Sequence, residues 1–177
     1  MSVLTTERLT LRPPKMADFE GFAAFLASPR SRFVGGPGRD REASWRAFAH
    51  LAGMWHLRGY GPFATVLEGE TIGMAGPWRP DGIPEPEMSY TLWSDAHEGR
   101  GLMAEAVTEA VRWSWEVAAL PSLVSYIDPG NRRSVALARS VGAALDPAAE
   151  ASEPGVHVYR HPAPAHRPEA ARCAAAE

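Results

Sequence analysis

The stretch Tyr90–Ala106, YTLWSDAHEGRGLMAEA, contains the most informative residues of this chain. An alternating strand pattern ends near Trp93, and after a short loop Gly99–Gly101 leads directly into an amphipathic helix that extends to Val117. Glycines at such a turn let consecutive backbone N–H groups face outward, and the start of the helix adds a partial positive charge. This pattern predicts an anion cradle that suits a pyrophosphate; a tight turn that simply needs glycine is the equally weighted alternative.

Two other phosphate-binding patterns do not match. The dinucleotide fingerprint G-x-G-x-x-G needs a third glycine where this sequence has Ala104, and the chain contains no G-x-x-x-x-G-K-[ST] motif. A nucleoside triphosphatase is therefore not expected.

The sequence on both sides of this stretch alternates between strand and helix patterns. The predicted strands are 7–13, 61–67, 71–76, 87–93, 123–127 and 155–160, and the predicted helices are 15–27, 40 or 42 to 57, 101–117 and 132–141. The loop over 28–41 is rich in glycine. This order of elements predicts an α+β (α/β-like) fold with a mixed sheet.

Length and composition limit the function classes. The 177 residues suit one domain over 1–161, followed by a Pro/Ala-rich tail over 162–177. A net charge of −3 argues against a nucleic-acid binder held by bulk charge, and no apolar run is long enough to cross a bilayer. The single cysteine, Cys173, excludes an internal disulfide framework, so a cytoplasmic protein is expected.

Three segments together resemble the GCN5-related N-acetyltransferase (GNAT) superfamily, specifically its ribosomal-protein-alanine acetyltransferase-like branch. They are TERLTLRPP at Thr6–Pro14, EGRGLMAEA at Glu98–Ala106 and NRRSVALARSVGA at Asn131–Ala143. The resemblance covers residues 6 to about 160. It implies a mostly antiparallel mixed sheet of six to seven strands flanked by about four helices, with strands splayed at a cosubstrate site.

The resemblance also implies acetyl-coenzyme A as cosubstrate. No metal is expected, because His50 and His56 lie six positions apart on a helix, the wrong spacing for a shared metal face. The pyrophosphate of the cosubstrate would lie on the backbone amides of 99–104, Asn131 would hydrogen-bond the pantetheine, and the acetyl carbonyl would lie near a backbone N–H around Trp93. Arg100, Arg132 or Arg133 would contact phosphates. The full set of implied cosubstrate-binding residues is Leu92, Trp93, Ser94, Gly99, Arg100, Gly101, Leu102, Met103, Ala104, Asn131, Arg132 and Ser134.

The chain departs from the family pattern in ways that bear on chemistry. Glu98 stands where Gln or Arg is usual, so its side chain is expected to turn away from the phosphates. Met103 replaces a small residue and Ala143 replaces the usual Phe after Gly142. Many members carry a general-acid Tyr where this chain has Ala138, so another group or water must protonate the leaving thiolate.

The catalytic candidates follow from a reaction in which a neutral amine attacks a thioester. Glu87, at the start of a strand, is the first candidate for general base, with a residue that merely flanks a proline-rich loop as the alternative. His97 is a further candidate, since histidine commonly serves as an acid or base, but it is more readily explained as loop surface. Ser134 and Tyr126 are candidate acids, although either can equally be a packing residue.

The predicted acceptor is a primary amine, either a small molecule or a peptide N-terminus, bound between the first two helices and the loop over 28–41. Trp78 and Trp93 are candidate pocket residues, and Phe33 is a candidate lid contact. The arginines of that loop would give its rim positive charge, although a solvated loop is the preferred interpretation. Direct attack without a covalent intermediate is expected because Cys173 lies in the tail. A non-catalytic acyl-coenzyme A binding or sensing module is the alternative function. The chain is expected to be a monomer or a homodimer.

Overall fold

The computed structural model describes residues 3–165 of the chain. Cys173 and most of the predicted tail over 162–177 lie outside the described residues. Within them, one sheet carries helices on both faces. The strands are β1 (Leu4–Thr5), β2 (Leu9–Arg12), β3 (Phe63–Leu67), β4 (Glu70–Trp78), β5 (Glu87–Leu92), β6 (Val124–Ile127), β7 (Ala144–Leu145) and β8 (His157–Arg160). The helices are α1 (Phe19–Ala27), α2 (Arg41–Leu57), α3 (Leu102–Glu116) and α4 (Arg132–Ser140).

The sheet is mixed and mostly antiparallel. Its described strands follow the order β1-β2-β3-β4-β5-β6-β8-β7, and only the β5–β6 pair is parallel. Six of the eight strands correspond to predicted ones. The other two, β1 and β7, are two residues long, too short for an alternating pattern to be recognised. The predicted fold class is confirmed.

The parallel pair separates almost as soon as it forms. Its register includes Glu87 opposite Val124 and no further pair, and the Val124 N–H donates to the Pro86 carbonyl at 3.0 Å. One residue further along β6, the contact between the strands is made by a side chain and not by the backbone. The Ser125 hydroxyl donates to the Met88 carbonyl at 2.9 Å. The end of β5 is therefore free of backbone partners on its β6 side, which opens a wedge between the two strands.

The two faces of the sheet pack against different helices. On one face, Leu102 and Val107 of α3 join Met88 of β5 in the largest buried cluster. On the other face, Phe22 of α1 and Met74 of β4 belong to a second cluster with α2. Because side chains of a strand alternate between faces, β5 presents successive residues to two separate environments.

A buried ion pair joins Arg12 at the end of β2 to Asp18 at the start of α1, and Thr71 of β4 also contacts it. Asp18 is 4% exposed and receives both guanidinium nitrogens of Arg12 at 2.7 and 2.8 Å, the Thr71 hydroxyl at 2.7 Å and the Lys15 N–H at 2.7 Å. Burial alone would raise the pKa of Asp18, but its hydrogen bonds to Arg12, Lys15 and Thr71 outweigh burial and lower it. The carboxylate thus fixes α1 against the sheet edge.

We expect Asp18→Asn to destabilise the fold by about 2 kcal/mol, because charge-assisted hydrogen bonds to a buried carboxylate are lost. Urea unfolding at pH 7 measures the change, with Asp81→Asn on an exposed turn as the control. The folded-state pKa is below its unfolded value, so the wild-type advantage should shrink as the pH falls from about 4. Equal stability of the two variants at pH 7 would contradict this assignment.

Candidate active site

Two cavities meet at β5, one on each side of the sheet. The first, of about 810 Å³, lies between β5, the start of α3 and α4; we call it the loop cavity, because Gly99, Gly101 and Ala104 line it. The second, of about 710 Å³, lies under α1 and α2; we call it the aromatic cavity, because Phe22, Phe25 and Trp78 line it. The residues that line both cavities are Phe25, Arg32, Phe33, Val34 and Thr91.

The glycine-rich turn forms one end of the loop cavity. Gly99 and Gly101 have φ angles of 69° and 73°, in the left-handed region that favours glycine. Helix α3 begins at Leu102 with no side chain capping its first N–H groups. The turn is held from behind by Arg8, which donates to the Arg100 carbonyl at 2.8 Å and to Glu105 at 2.7 Å. Uncapped N–H groups on a fixed turn form an anion cradle.

The three arginines that were expected to contact phosphates differ in whether they line the loop cavity. Arg132 and Arg133 line the loop cavity, whereas Arg100 does not; its guanidinium is exposed, with Nη1 at 3.4 Å from His97 Nδ1. Arg133 forms an ion pair with Glu98. Of the two predicted phosphate contacts that line the loop cavity, Arg133 is ion-paired and Arg132 has no ion pair with the described residues.

Glu98 does not turn away from the cavity, so that expectation was wrong. It lines the loop cavity, and its Oε1 accepts from Arg30 at 2.6 Å and from Arg133. The hydrogen bond from Arg30 is the main reason that the pKa of Glu98 is lowered. The acid is tolerated here because two guanidinium groups compensate its charge.

The backbone of β5 presents different N–H groups to the two sides. The Trp93 N–H donates to the Ile72 carbonyl at 2.9 Å, so it is not available to a ligand. Because hydrogen bonding alternates along an antiparallel strand, the Tyr90 and Leu92 N–H groups face away from β4 and into the wedge. Of the backbone N–H groups around Trp93, that of Leu92 is therefore the one that faces the wedge.

Two predicted cosubstrate-binding residues that follow β5, Trp93 and Ser94, lie outside the cavity walls. The Trp93 ring packs against Phe22 with centroids 6.0 Å apart, and the Ser94 hydroxyl accepts from the Ala96 N–H at 3.2 Å. Neither residue lines either cavity, whereas Leu92 lines the loop cavity. The stiff, short loop after β5 thus directs these two side chains into local contacts.

Helix α4 closes the other side of the wedge. Asn131 caps it, with its side-chain oxygen 3.3 Å from the Ser134 N–H, which leaves the Asn131 amide NH₂ as a donor toward the cavity. The Ser134 carbonyl accepts from the Tyr90 hydroxyl at 2.9 Å. Ala138, where many family members carry Tyr, is fully buried.

The aromatic cavity contains the first candidate for general base. Glu87 is half-buried in its wall, with Asp128 and Glu153 also lining the cavity. Desolvation, with a smaller contribution from the charge of Glu153, raises the pKa of Glu87 to about 8. His97 lines the loop cavity instead, so the structure does not bring the two candidate bases together.

The other predicted acceptor-side residues are partly brought together. Phe33 and Trp78 line the aromatic cavity, and the Trp78 Nε1 donates to His50 Nε2 at 3.1 Å. Of the loop arginines, Arg32 and Arg39 line it, whereas Arg30 pairs with Glu98 and Arg41 with Glu20. Tyr126 also lies there, its hydroxyl accepting from the Glu85 N–H at 3.2 Å.

Sequence reasoning missed several residues of these cavities. Glu153 lies in an irregular segment before β8, and its approach to Glu87 joins residues far apart in the chain. Tyr90 fitted the alternating pattern of β5, but the pattern does not show which partner its hydroxyl finds.

Within residues 3–165, no group of His, Cys, Asp and Glu side chains could hold a metal ion, and no helix is long and apolar enough to cross a membrane.

Comparison with known proteins places this geometry in a family. A family model described as an acetyltransferase (GNAT) domain matches residues 8–144. The crystal structure of an acetyltransferase from Agrobacterium tumefaciens str. C58 is 45% identical, covers 91% of this chain and 94% of its own length, and has a TM-score of 0.86. Acetyl-coenzyme A is the acyl donor of this family.

Two other solved structures share the fold at lower identity. RimL, a ribosomal L7/L12 α-N-protein acetyltransferase in complex with coenzyme A, is 15% identical over 92% of this chain and 98% of its own, with a TM-score of 0.71. AAC(6')-Ib in complex with paromomycin and acetyl-coenzyme A is 18% identical over 87% and 92%, also with a TM-score of 0.71. The family model and the Agrobacterium relative carry the assignment: this chain belongs to the GNAT family of acetyltransferases.

Proposed function

We propose that this protein transfers the acetyl group of acetyl-coenzyme A to a primary amine by direct attack of the amine on the thioester. The observation that carries the proposal is the meeting of two cavities at the open edge of β5. One cavity contains a phosphate cradle and the other a carboxyl group whose pKa is raised to about 8. Thr91 lines both, which gives the two substrates one meeting place.

The loop cavity fits coenzyme A in its chemistry. The N–H groups at the turn and at the start of α3 suit the pyrophosphate, and Arg132 adds a cation beside them. The Asn131 amide and the Leu92 N–H are donors further along the wedge, suited to the pantetheine and to the acetyl carbonyl oxygen. When bound, acetyl-coenzyme A supplies the activated acyl group.

Glu87 supplies the base. A carboxylate with a pKa near 8 is poised to accept a proton from an ammonium or an amine, directly or through water. Among the described residues no cysteine lines either cavity, since the single cysteine of the chain is Cys173. Direct attack therefore needs fewer groups than transfer through an acylated enzyme.

The acceptor proposed is a small-molecule amine or a peptide N-terminus. Asp128 and Glu153 favour a cationic amine, and Arg32 and Arg39 offer partners for a carboxylate or a backbone carbonyl. RimL acts on a ribosomal protein and AAC(6')-Ib is bound to an aminoglycoside, so the shared fold admits both classes.

A non-catalytic acyl-coenzyme A binding module is the second candidate, because Ala138 leaves α4 without a phenolic acid. A thiol-release assay with acetyl-coenzyme A separates the two. The amines tested are peptides that begin with Ala or Ser, free amino acids, spermidine and an aminoglycoside. Amine-dependent release together with an acetylated product in the mass spectrum supports the enzyme. Calorimetric binding of coenzyme A without release by any amine would favour the binding module.

Glu98 gives a prediction about cosubstrate affinity. We expect Glu98→Gln to lower the Kd for coenzyme A about threefold to tenfold, equivalent to about 1 kcal/mol, because it removes a negative charge and frees Arg30 and Arg133. Calorimetry at low and moderate salt measures the change, which should shrink with salt. The control is Glu42→Gln on the exposed face of α2. A weaker affinity in Glu98→Gln would show that Glu98 acts by positioning the arginines.

A further inference from the structure

Tyr90 lies in the wedge, next to α4, which carries Ala138 where many family members have a tyrosine. Its hydroxyl donates to the Ser134 carbonyl at 2.9 Å, so the side chain crosses from β5 to α4 and lines the loop cavity. Ala138, on the same helix, is fully buried and has no group to offer. A phenol hydroxyl therefore reaches the loop cavity from β5 and not from α4.

Tyr90 and Glu87 lie on opposite faces of one strand. Glu87, Ser89 and Thr91 line the aromatic cavity, whereas Tyr90 and Leu92 line the loop cavity. Three positions apart on a strand, the two side chains point in opposite directions. A proton acceptor and a proton donor thus stand on the two sides of the backbone edge where the cavities meet.

A buried polar pair lies behind Tyr90. His161 Nε2 is 3.0 Å from the Ser125 hydroxyl, and the two residues are 1% and 2% exposed. The Ser125 hydroxyl donates to the Met88 carbonyl at 2.9 Å. Burial raises the pKa of the Tyr90 phenol, and the nearby Ser125 hydroxyl acts in the opposite direction. Burial lowers the pKa of His161 to about 4, so the imidazole is neutral at pH 7.

This pair is costly for a core. The His161 Nδ1 atom is buried and has no hydrogen-bond partner among the described residues. An apolar pair of similar size would avoid that cost. The pair fixes the Ser125 hydroxyl, which satisfies the Met88 carbonyl and lies near the phenol of Tyr90.

We propose that Tyr90 is the general acid of the transfer, and that Ser125 and His161 are positioning residues for its hydroxyl. The inference rests on the proposed acetyl transfer. Of the other candidate acids, Tyr126 lines the aromatic cavity, whereas Ser134 lines the loop cavity together with Tyr90 and accepts the Tyr90 hydrogen bond at its carbonyl.

The protons and electrons balance as follows. Glu87, or a water bound to it, takes one proton from the amine nitrogen, whose lone pair forms the new bond to the acetyl carbon. The carbon–sulfur bond breaks, and its electron pair on sulfur takes the proton from the Tyr90 hydroxyl. Water in the open wedge returns a proton to Tyr90, and Glu87 releases its proton to solvent. Nothing is oxidised or reduced.

The first test compares Tyr90→Phe with Tyr60→Phe, a half-buried tyrosine that lines neither cavity. With the fastest amine from the thiol-release assay, we expect kcat to fall at least about tenfold in Tyr90→Phe and to stay near wild type in Tyr60→Phe. The Kd for coenzyme A, measured by calorimetry, should stay within about threefold of wild type, since a hydroxyl is removed and the ring remains. Equal kcat values for the two variants would overturn the proposal.

The second test separates acid chemistry from support of the fold. Difluorotyrosine placed at position 90 lowers the phenol pKa, which ¹⁹F NMR then measures directly. We expect kcat to decline at alkaline pH with that same pKa, and Ser125→Ala in the same background to raise both values together, because it removes a hydroxyl that lowers the Tyr90 pKa. An alkaline decline that does not follow the ¹⁹F value would reject Tyr90 as the acid.

Failure of the proposed function is distinguishable from failure of this inference. If wild type acetylates no amine, acetyl transfer itself is not supported. In that case an unchanged ¹⁹F resonance on adding coenzyme A would reject the placement of Tyr90 beside the cosubstrate as well. If wild type is active and the Tyr90 variants behave as wild type, only the role of Tyr90 is lost.

Discussion

Gly101→Trp should abolish binding of acetyl-coenzyme A, with the affinity reduced at least about a hundredfold, equivalent to roughly 2.7 kcal/mol. Gly101 precedes the first residue of α3 at a φ of 73°, and it lines the loop cavity. An indole at this position would occupy the space in front of the uncapped N–H groups, and any side chain there is strained at that backbone angle. Isothermal calorimetry with coenzyme A measures the loss.

The matched control is Gly82→Trp. Gly82 has a φ of 84°, so it imposes comparable backbone strain, but it is exposed on the turn between β4 and β5 and lines neither cavity. Both variants should lose similar stability in thermal melts, and Gly82→Trp should keep the wild-type affinity for coenzyme A. Retained binding in Gly101→Trp would place the phosphates elsewhere, under the proposed enzyme and under the binding module alike.

Much of the fold follows from local patterns. The alternation over 87–93 predicted β5, and the apolar spacing after Gly101 predicted α3 within one residue at each end. The glycines between them predicted the turn that leads into α3, because backbone geometry is dictated by residues adjacent in sequence. The short strands β1 and β7 were not predictable, since two residues form a strand only when a neighbouring strand is already in place.

The parts of the site that sequence reasoning missed are contacts between distant segments. Glu98 was expected to turn away because an acid is unfavourable near phosphates, whereas Arg30 and Arg133 reach it from two other elements and compensate its charge. The hydroxyl of Tyr90 finds Ser134, and Ser125 finds His161, across similarly long separations. No periodicity encodes such pairs, because they depend on how β5 and β6 separate.

Glu87→Gln should lower kcat about a hundredfold or more, the contribution expected when a general base is removed. The amide has nearly the same size and cannot accept a proton, so the Kd for coenzyme A should stay within about twofold of wild type. Glu87 lines the aromatic cavity and not the loop cavity, which is the reason for that separation. Thiol release with the best amine gives kcat, and calorimetry gives the Kd. An unchanged kcat would remove Glu87 as the base.

The pH dependence makes the test specific. The pKa of Glu87 is raised to about 8, so the active carboxylate form grows as the pH rises, and wild-type kcat should climb through about pH 8 to a plateau. Glu153 contributes to that raised pKa, so Glu153→Gln should move the rise to lower pH, whereas Glu150→Gln, exposed in the same segment and outside the cavity wall, should leave it in place. The amine substrate also loses a proton in this pH range, so the experiment is repeated with two amines of different pKa. For both amines, Glu153→Gln should shift the rise in kcat to lower pH. If the rise in kcat shifts with the pKa of the amine and is unchanged in Glu153→Gln, deprotonation of the substrate sets the rate and Glu87 is not the base.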